Sequence, residues 1–209
     1  MVDVRINGKR IPPLGAIDNL STLIERLETM AEKNNSALTS LIINNNSIDI
    51  DNTNYRKMKL EDEDTVEARI DTPMQLSYES LQVAIDMADL LVFDLKVATL
   101  HLWNENNQGE KSLHTLLEDC RLFLTLAAKP IYMLEGLEIH DDPDVYNCLK
   151  ELDDIANQVE NATILAVHGR SKDACTVLVG WVKPSIERWI GLSAPFASKL
   201  NINMVAGAG

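Results

Sequence analysis

The histidines and carboxylates are where chemistry would first be sought. The four histidines are His101, His114, His140 and His168. A helical bundle can hold a di-iron or di-manganese site built from Glu-x-x-His pairs, because residues three apart project from one helix face. The residues three before these histidines are Ala98, Lys111, Leu137 and Leu165. None carries a carboxylate, so that chemistry is excluded. Glu135, Glu138, His140, Asp141, Asp142 and Asp144 form a dense acidic cluster. Hard divalent cations bind several oxygens, but this spacing fits no calcium loop. The expectation is a solvated loop whose acids favour the start of the next helix.

The three cysteines, Cys120, Cys148 and Cys175, are odd in number and far apart, with no CxxC pair for zinc or redox work. Each lies among apolar residues at helical spacing, so buried free thiols in a reducing cytoplasm are expected. His168, with Cys148 and Cys175 on neighbouring helices, offers a conceivable Cys/His nucleophile pair. The plainer reading is a histidine favoured by the negative end of a helix dipole, since Gly169 follows it. There is no GxSxG, P-loop or GxGxxG, and only 9 glycines. Phosphate-cradling loops are therefore not expected, and no cofactor is implied.

Two further sets remain as candidate site residues. Asp94 and His101 are seven apart, hence on one face of a helix that is apolar nearly all round, which makes them a candidate buried polar pair. With His114 they would line a small-molecule site. Trp103, Trp181 and Trp189 are the largest aromatics. Trp181 and Trp189, eight apart, fall close to one face of the last helix. Core packing is the default for such rings and interface anchoring the alternative.

These residues must be positioned by long helices. Leu81, Ala84, Ala88, Leu91, Leu95, Ala98 and Leu102 alternate by three and four, the stripe of a helix packed lengthwise on others. Ile85, Met87, Leu90, Val92 and Val97 widen it, so more than one neighbour must cover that helix. It should run from about Gln75 to Asn106. A second helix, capped by Ser112, carries Leu113, Leu116, Leu117, Cys120, Phe123, Leu124, Ala127, Ile131 and Leu134, with Pro130 as a kink. Asp142-Pro143 reads as N-cap and first turn of a third helix that stops at Gly169. Ser171 caps a fourth, interrupted at Pro184 and kinked or ended at Pro195. Helices of this length joined by short loops imply an antiparallel up-down four-helix bundle over residues 73–201, with 202–209 a disordered tail.

Residues 1–72 read as a separate domain. Val2, Val4 and Ile6 alternate with Asp3 and Arg5 as a strand, and Asn7-Gly8 is a hairpin turn into Lys9-Arg10-Ile11. Asp18 or Asn19 caps a helix with Leu20, Leu23, Ile24, Leu27, Met30 and Ala31 on one face. Leu38 to Asn44, Ile48 to Ile50 and Thr65 to Asp71 follow as strands, the last with Val66, Ala68 and Ile70 inward. With Asn7-Gly8 as first turn and Leu60-Glu61-Asp62-Glu63-Asp64-Thr65-Val66 before the last strand, this third of the chain resembles the ubiquitin-like β-grasp fold, and most of all the small bacterial sulfur carriers. That family works through a free C-terminal Gly-Gly. Here Glu67-Ala68-Arg69-Ile70-Asp71-Thr72-Pro73 runs on into a helix with no glycine pair. The resemblance therefore implies the scaffold, α+β overall, without the carrier chemistry.

The net charge is −13, with −4 on residues 1–72 and −9 on the rest. That field repels phosphate backbones and anionic lipid, so neither nucleic acid nor a membrane is an expected partner. No apolar run of spanning length occurs, and the first residues show no signal-peptide pattern, so a cytoplasmic location is expected. With no catalytic constellation found, the expected role is a non-catalytic interaction module (adaptor, regulator or export-type chaperone) that binds another protein or a second copy of itself. The alternatives are a small-ligand binder or enzyme with a site between the domains or in the bundle core, and a ubiquitin-like carrier.

Overall fold

Asn7 and Gly8 both adopt positive φ, 50° and 76°, and Ile6 pairs directly with Lys9 across them. This is the two-residue turn whose twist matches that of the flanking strands. In the computed structural model described here, the turn joins β1 (Asp3–Ile6) to β2 (Lys9–Arg10). The structure describes residues 2–12, 14–15, 17, 19–50, 52, 58–102, 108–135, 137 and 141–207; the side chains of 98–102, 108–111 and 203–207 are outside the description. The chain separates into two compact units, Met1–Pro73 and Met74–Gly209.

In the first unit, α1 (Leu20–Lys33) begins at Asn19, whose side chain accepts from the Thr22 N–H at 2.9 Å. It ends at Asn34 in a Schellman arrangement: Asn35, at φ 49°, donates to the Glu32 carbonyl and Ser36 to that of Ala31. Strand β3 (Ala37–Ile43) turns through Asn44 and Asn45, both at positive φ, into β4 (Asn46–Ile48), two residues earlier than the sequence suggested. β5 (Thr65–Asp71) completes a mixed five-stranded sheet in the order β2-β1-β5-β3-β4, with β1 and β5 parallel. The α1 residues Leu20, Leu23, Ile24 and Leu27 bury against Val4, Leu41, Ile43, Val66 and Ala68 on one face of the sheet.

Asparagine rather than glycine at the first turn positions has a second use. The Asn7 amide donates to the Ile70 carbonyl at 2.8 Å and accepts from the Ile70 N–H at 3.0 Å, continuing the ladder onto β5 beyond the end of β1. Asn44 accepts from Thr65 N–H at 3.0 Å and donates to Asp64 at 2.7 Å.

The second unit is helical. α2 (Pro73–Leu102), α3 (Gln108–Tyr132), α4 (Pro143–Val167), α5 (Ser171–Val177) and α6 (Lys183–Gly207) share one core that includes Leu81, Leu95, Phe123, Ile131, Ile155, Trp189 and Phe196. Asp142 caps α4 by accepting from Asp144 N–H at 2.9 Å, with Pro143 at the first helical position. His168 and Gly169 close it: Gly169, at φ 73°, donates to Ala166 and Arg170 to Leu165. No helix among the described residues is long and apolar enough to cross a membrane.

Several expectations are corrected. Ser112 lies inside α3, and Ser171 is the first residue of α5, whose N-cap Arg170 makes no side-chain cap but pairs with Asp173 at 2.7 Å. The expected fourth helix is divided by a π-helical turn, Leu178–Val182, in which the Lys183 N–H reaches back to the Leu178 carbonyl. The widened turn sits just before Pro184, whose ring and missing N–H disfavour an ordinary α-turn there. Pro195 lies within α6 without ending it. α6 continues as helical backbone to Gly207. Ile202, Met204, Val205 and Ala206 offer no glycine or proline to stop the helix before Gly207.

Three carboxylates tie loops to helices and strands. Asp142 Oδ2 and Asp144 Oδ2 lie 3.0 and 2.6 Å from Lys199 Nζ on α6. The Asp144 N–H, and then the Lys199 ammonium, hold the Asp142 carboxyl below its ordinary pKa. The Glu61 N–H, and then the Asn44 amide, do the same for Asp64. A carboxyl depressed in the folded state stabilises above its ordinary pKa, and this contribution is lost as pH falls through the depressed value. The double variant D64N/D142N should therefore lose less stability on acidification than the wild type, measured as urea midpoints over a pH series. Identical acid limbs would refute the assignment.

Candidate functional site

The three cysteines are buried and free. Burial pushes the Cys120 and Cys148 thiols up to about 12 and Cys175 to about 11. At neutral pH these are thiols, not thiolates, and are poor nucleophiles. His168 is exposed, and its Nδ1 lies 2.8 Å from the Ile164 carbonyl, satisfying one of the last acceptors of α4. Within the acidic cluster, Asp142 and Asp144 are engaged by Lys199, whose ammonium occupies the position a cation would take. Glu138 and His140 lie outside the described residues.

The tryptophans part company. Trp189 is fully buried and meets Phe123 edge to face, with centroids 5.1 Å apart and planes at 84°. Trp181, in the π turn, is 63% exposed. Eight residues at 100° each leave about 80° between them, enough to move one ring off the buried stripe of Val182, Ile186, Trp189 and Phe196. Trp103 lies outside the described residues. Asp94 is exposed, so the expected burial of an Asp94–His101 pair is corrected at Asp94; the side chain of His101 lies outside the description. The reason is phase: at 100° per residue Asp94 falls about 60° from Leu91 and 100° from Leu95, past the edge of the buried stripe.

The outward side of α2 carries large apolar residues that stay exposed. Leu81, Ala84, Ala88, Leu91 and Leu95 are buried as the stripe predicts. Ile85, Met87 and Val92 of the second set pack partly against the same core. Leu90 stays 67% exposed, Phe93 62% and Val83 57%. At 100° per residue these three fall within an arc of about 80°. Asp86 lies inside that arc, and Asp94 and Asp89 border it on opposite sides. All three aspartates are exposed. Beside this face, Asp89, Phe93 and Lys96 of α2 and Val179, Lys183 and Glu187 line an open groove of about 520 Å³. Lys183 there is held by Glu187 at 2.6 Å.

A second concavity, of about 500 Å³, lies between α3 and α4. Leu113, Leu117 and Ala166 line it together with His114, Glu118 and Arg121. His114 Nδ1 is 3.5 Å from Glu118 Oε1, and Arg121 donates to the Thr163 hydroxyl at 3.1 Å. Of the residues expected to line a small-molecule site, His114 borders this cleft. Glu118 and Arg121 were missed there, although their i+4 and i+7 spacing from His114 places them on its face.

No protein-family model, no curated protein and no solved structure matches this chain.

Proposed function

We propose that this chain is a non-catalytic protein-interaction module, of the adaptor, regulator or export-chaperone kind, that docks another protein on the outward face of α2. The observation that carries the reading is the exposure of Val83, Leu90 and Phe93 on one side of a helix whose other side is fully buried. Apolar side chains grouped on an exposed face mark candidate binding surfaces. The reading takes the first unit as a β-grasp scaffold. Its support is the order β2-β1-β5-β3-β4, the parallel β1–β5 pair and the helix that follows the first hairpin. It takes the second unit as an up-down four-helix bundle of α2, α3, α4 and the continuous α5–π–α6 segment, supported by the shared core and the three-residue link from α4 to α5. A carrier role has no support, because β5 passes through Thr72 directly into α2 without a glycine pair.

A photoreactive amino acid placed at position 90 or 93 tests the reading. Irradiation in lysate of the source organism should give one discrete protein adduct from these positions and none from position 153 on the exposed side of α4. The same ladder from every position, or no adduct, would refute docking on α2. The competing reading is a small-ligand site in the α3–α4 cleft, favoured by His114, Glu118 and Arg121 above an apolar floor. A melting shift on ligand screening that the R121A variant abolishes would promote it.

A further inference from the structure

We infer that the occupant of the α2 face is a basic amphipathic helix of another protein; this rests on the docking reading above and identifies the chemistry of the partner. The stripe formed by Val83, Leu90 and Phe93 offers anchors at helical spacing, which is how a groove or face takes the apolar side of a partner helix. The carboxylates decide its charge. Asp86 sits within the stripe, and Asp89 and Asp94 border it. None of the three makes an ion pair or side-chain hydrogen bond among the described residues. Lys96 lies further round the helix, beyond Asp89.

Any helix seated on Leu90 and Phe93 would remove water from Asp86. A carboxylate desolvated without a cation is strongly unfavourable, so the partner must bring Lys or Arg to that point. Lysine and arginine suit this position because their aliphatic stems lie along apolar surface while the charge reaches the flanking acids. A second copy of this chain fits less well. Face-to-face pairing would set three aspartates against three, between chains that each carry −13. The acidity of the second unit would also speed encounter with a basic partner.

The test uses the full-length chain and three designed helical peptides. They share one Leu-rich face and differ only in filling the other with Lys, Gln or Glu. Binding is followed by fluorescence anisotropy of labelled peptide, with sedimentation for the protein alone. The Lys peptide should bind more tightly than the Gln peptide, and the Glu peptide should not bind. L90S/F93S should weaken the Lys peptide by at least roughly tenfold, as loss of central anchors does. D86N/D89N/D94N should weaken it and flatten its salt dependence. D153N/D154N/E160Q, which removes the same charge from exposed positions on α4, should leave it unchanged. Circular dichroism checks that each variant keeps its helices.

If the Gln peptide binds as tightly as the Lys peptide, or both triple variants weaken binding alike, the charge inference is overturned while docking on α2 stands. If the protein alone dimerises and L90S/F93S abolishes this, the occupant is a second copy and the inference is overturned. If no peptide binds, the inference is overturned; if position 90 then also gives no cross-linked protein, the docking reading falls with it.

Discussion

Replacing Trp189 by alanine is expected to lower the unfolding free energy by about 3–5 kcal/mol, the range for truncating a buried large aromatic. Trp189 has no exposed surface and stands edge-on to Phe123 at the centre of the helical unit's core. Alanine would leave a void lined by side chains already in dense contact, and the helices can collapse only partly into it. W189F should cost less than W189A. It keeps an aromatic ring and removes an indole N–H that is buried without a partner among the described residues. The contrasting variant is W181A. Its ring is mostly exposed, so its effect on stability should stay within about 0.5 kcal/mol. Denaturant unfolding followed by far-ultraviolet circular dichroism measures all three. A W189A variant as stable as W181A would refute the placement of these rings.

The second large effect belongs to Asp71, the most deeply buried carboxylate described. It is 1% exposed at the end of β5. Arg69 Nε lies 2.9 Å from Oδ2 and 3.1 Å from Oδ1, and the Thr39 hydroxyl donates to Oδ2. D71A removes the carboxylate that Arg69 and Thr39 share, and is expected to destabilise by about 1–3 kcal/mol. The guanidinium of Arg69 is 45% exposed and can regain water, which keeps the loss below that of a fully buried pair. D71N retains an acceptor and should cost less than D71A. T39V/D71L removes both partners together and should lie closer to wild type than D71A does. If D71A and T39V/D71L were equally destabilised, packing rather than the Thr39 hydroxyl's loss of the carboxylate would be responsible.

Asp71 also marks where reading by alternation stops. Val66, Ala68 and Ile70 were expected inward, leaving Asp71 outside. Val66 and Ala68 are buried, but Ile70 is half-buried and Asp71 is inside. The register between β3 and β5 shifts between Leu38 and Ser40, so Thr39 is the extra residue of a bulge. The bulge brings the Thr39 hydroxyl onto the Asp71 carboxylate, and nothing in the sequence of β5 signals a bulge in its neighbour. The exposed face of α2 has the same character. The wide apolar circumference of α2 is plain in the residues from Leu81 to Val97. Which arc its neighbours cover is set by the way the other helices pack, and that selected Leu91 and Leu95 over Leu90 and Phe93.

What the sequence by itself determined is what the backbone settles within a few residues. Asn7-Gly8 and Asn44-Asn45 make their turns because these residues tolerate positive φ. Asn19 and Asp142 cap their helices, and Gly169 ends one, through hydrogen bonds to groups two to five residues away. The apolar stripes of α2 and α3 likewise follow from periodicity alone, as does the burial of the three cysteines. Tertiary structure decided whatever depends on a neighbour far along the chain. It placed Trp189 against Phe123 and left Trp181 outside. It drew Asp71 inward to Thr39 and Arg69. It brought Lys199 to Asp142 and Asp144, and it left one face of α2 open. The physical reason is that local rules fix which conformations a segment can adopt, whereas burial and pairing depend on the phase and register with which whole elements meet.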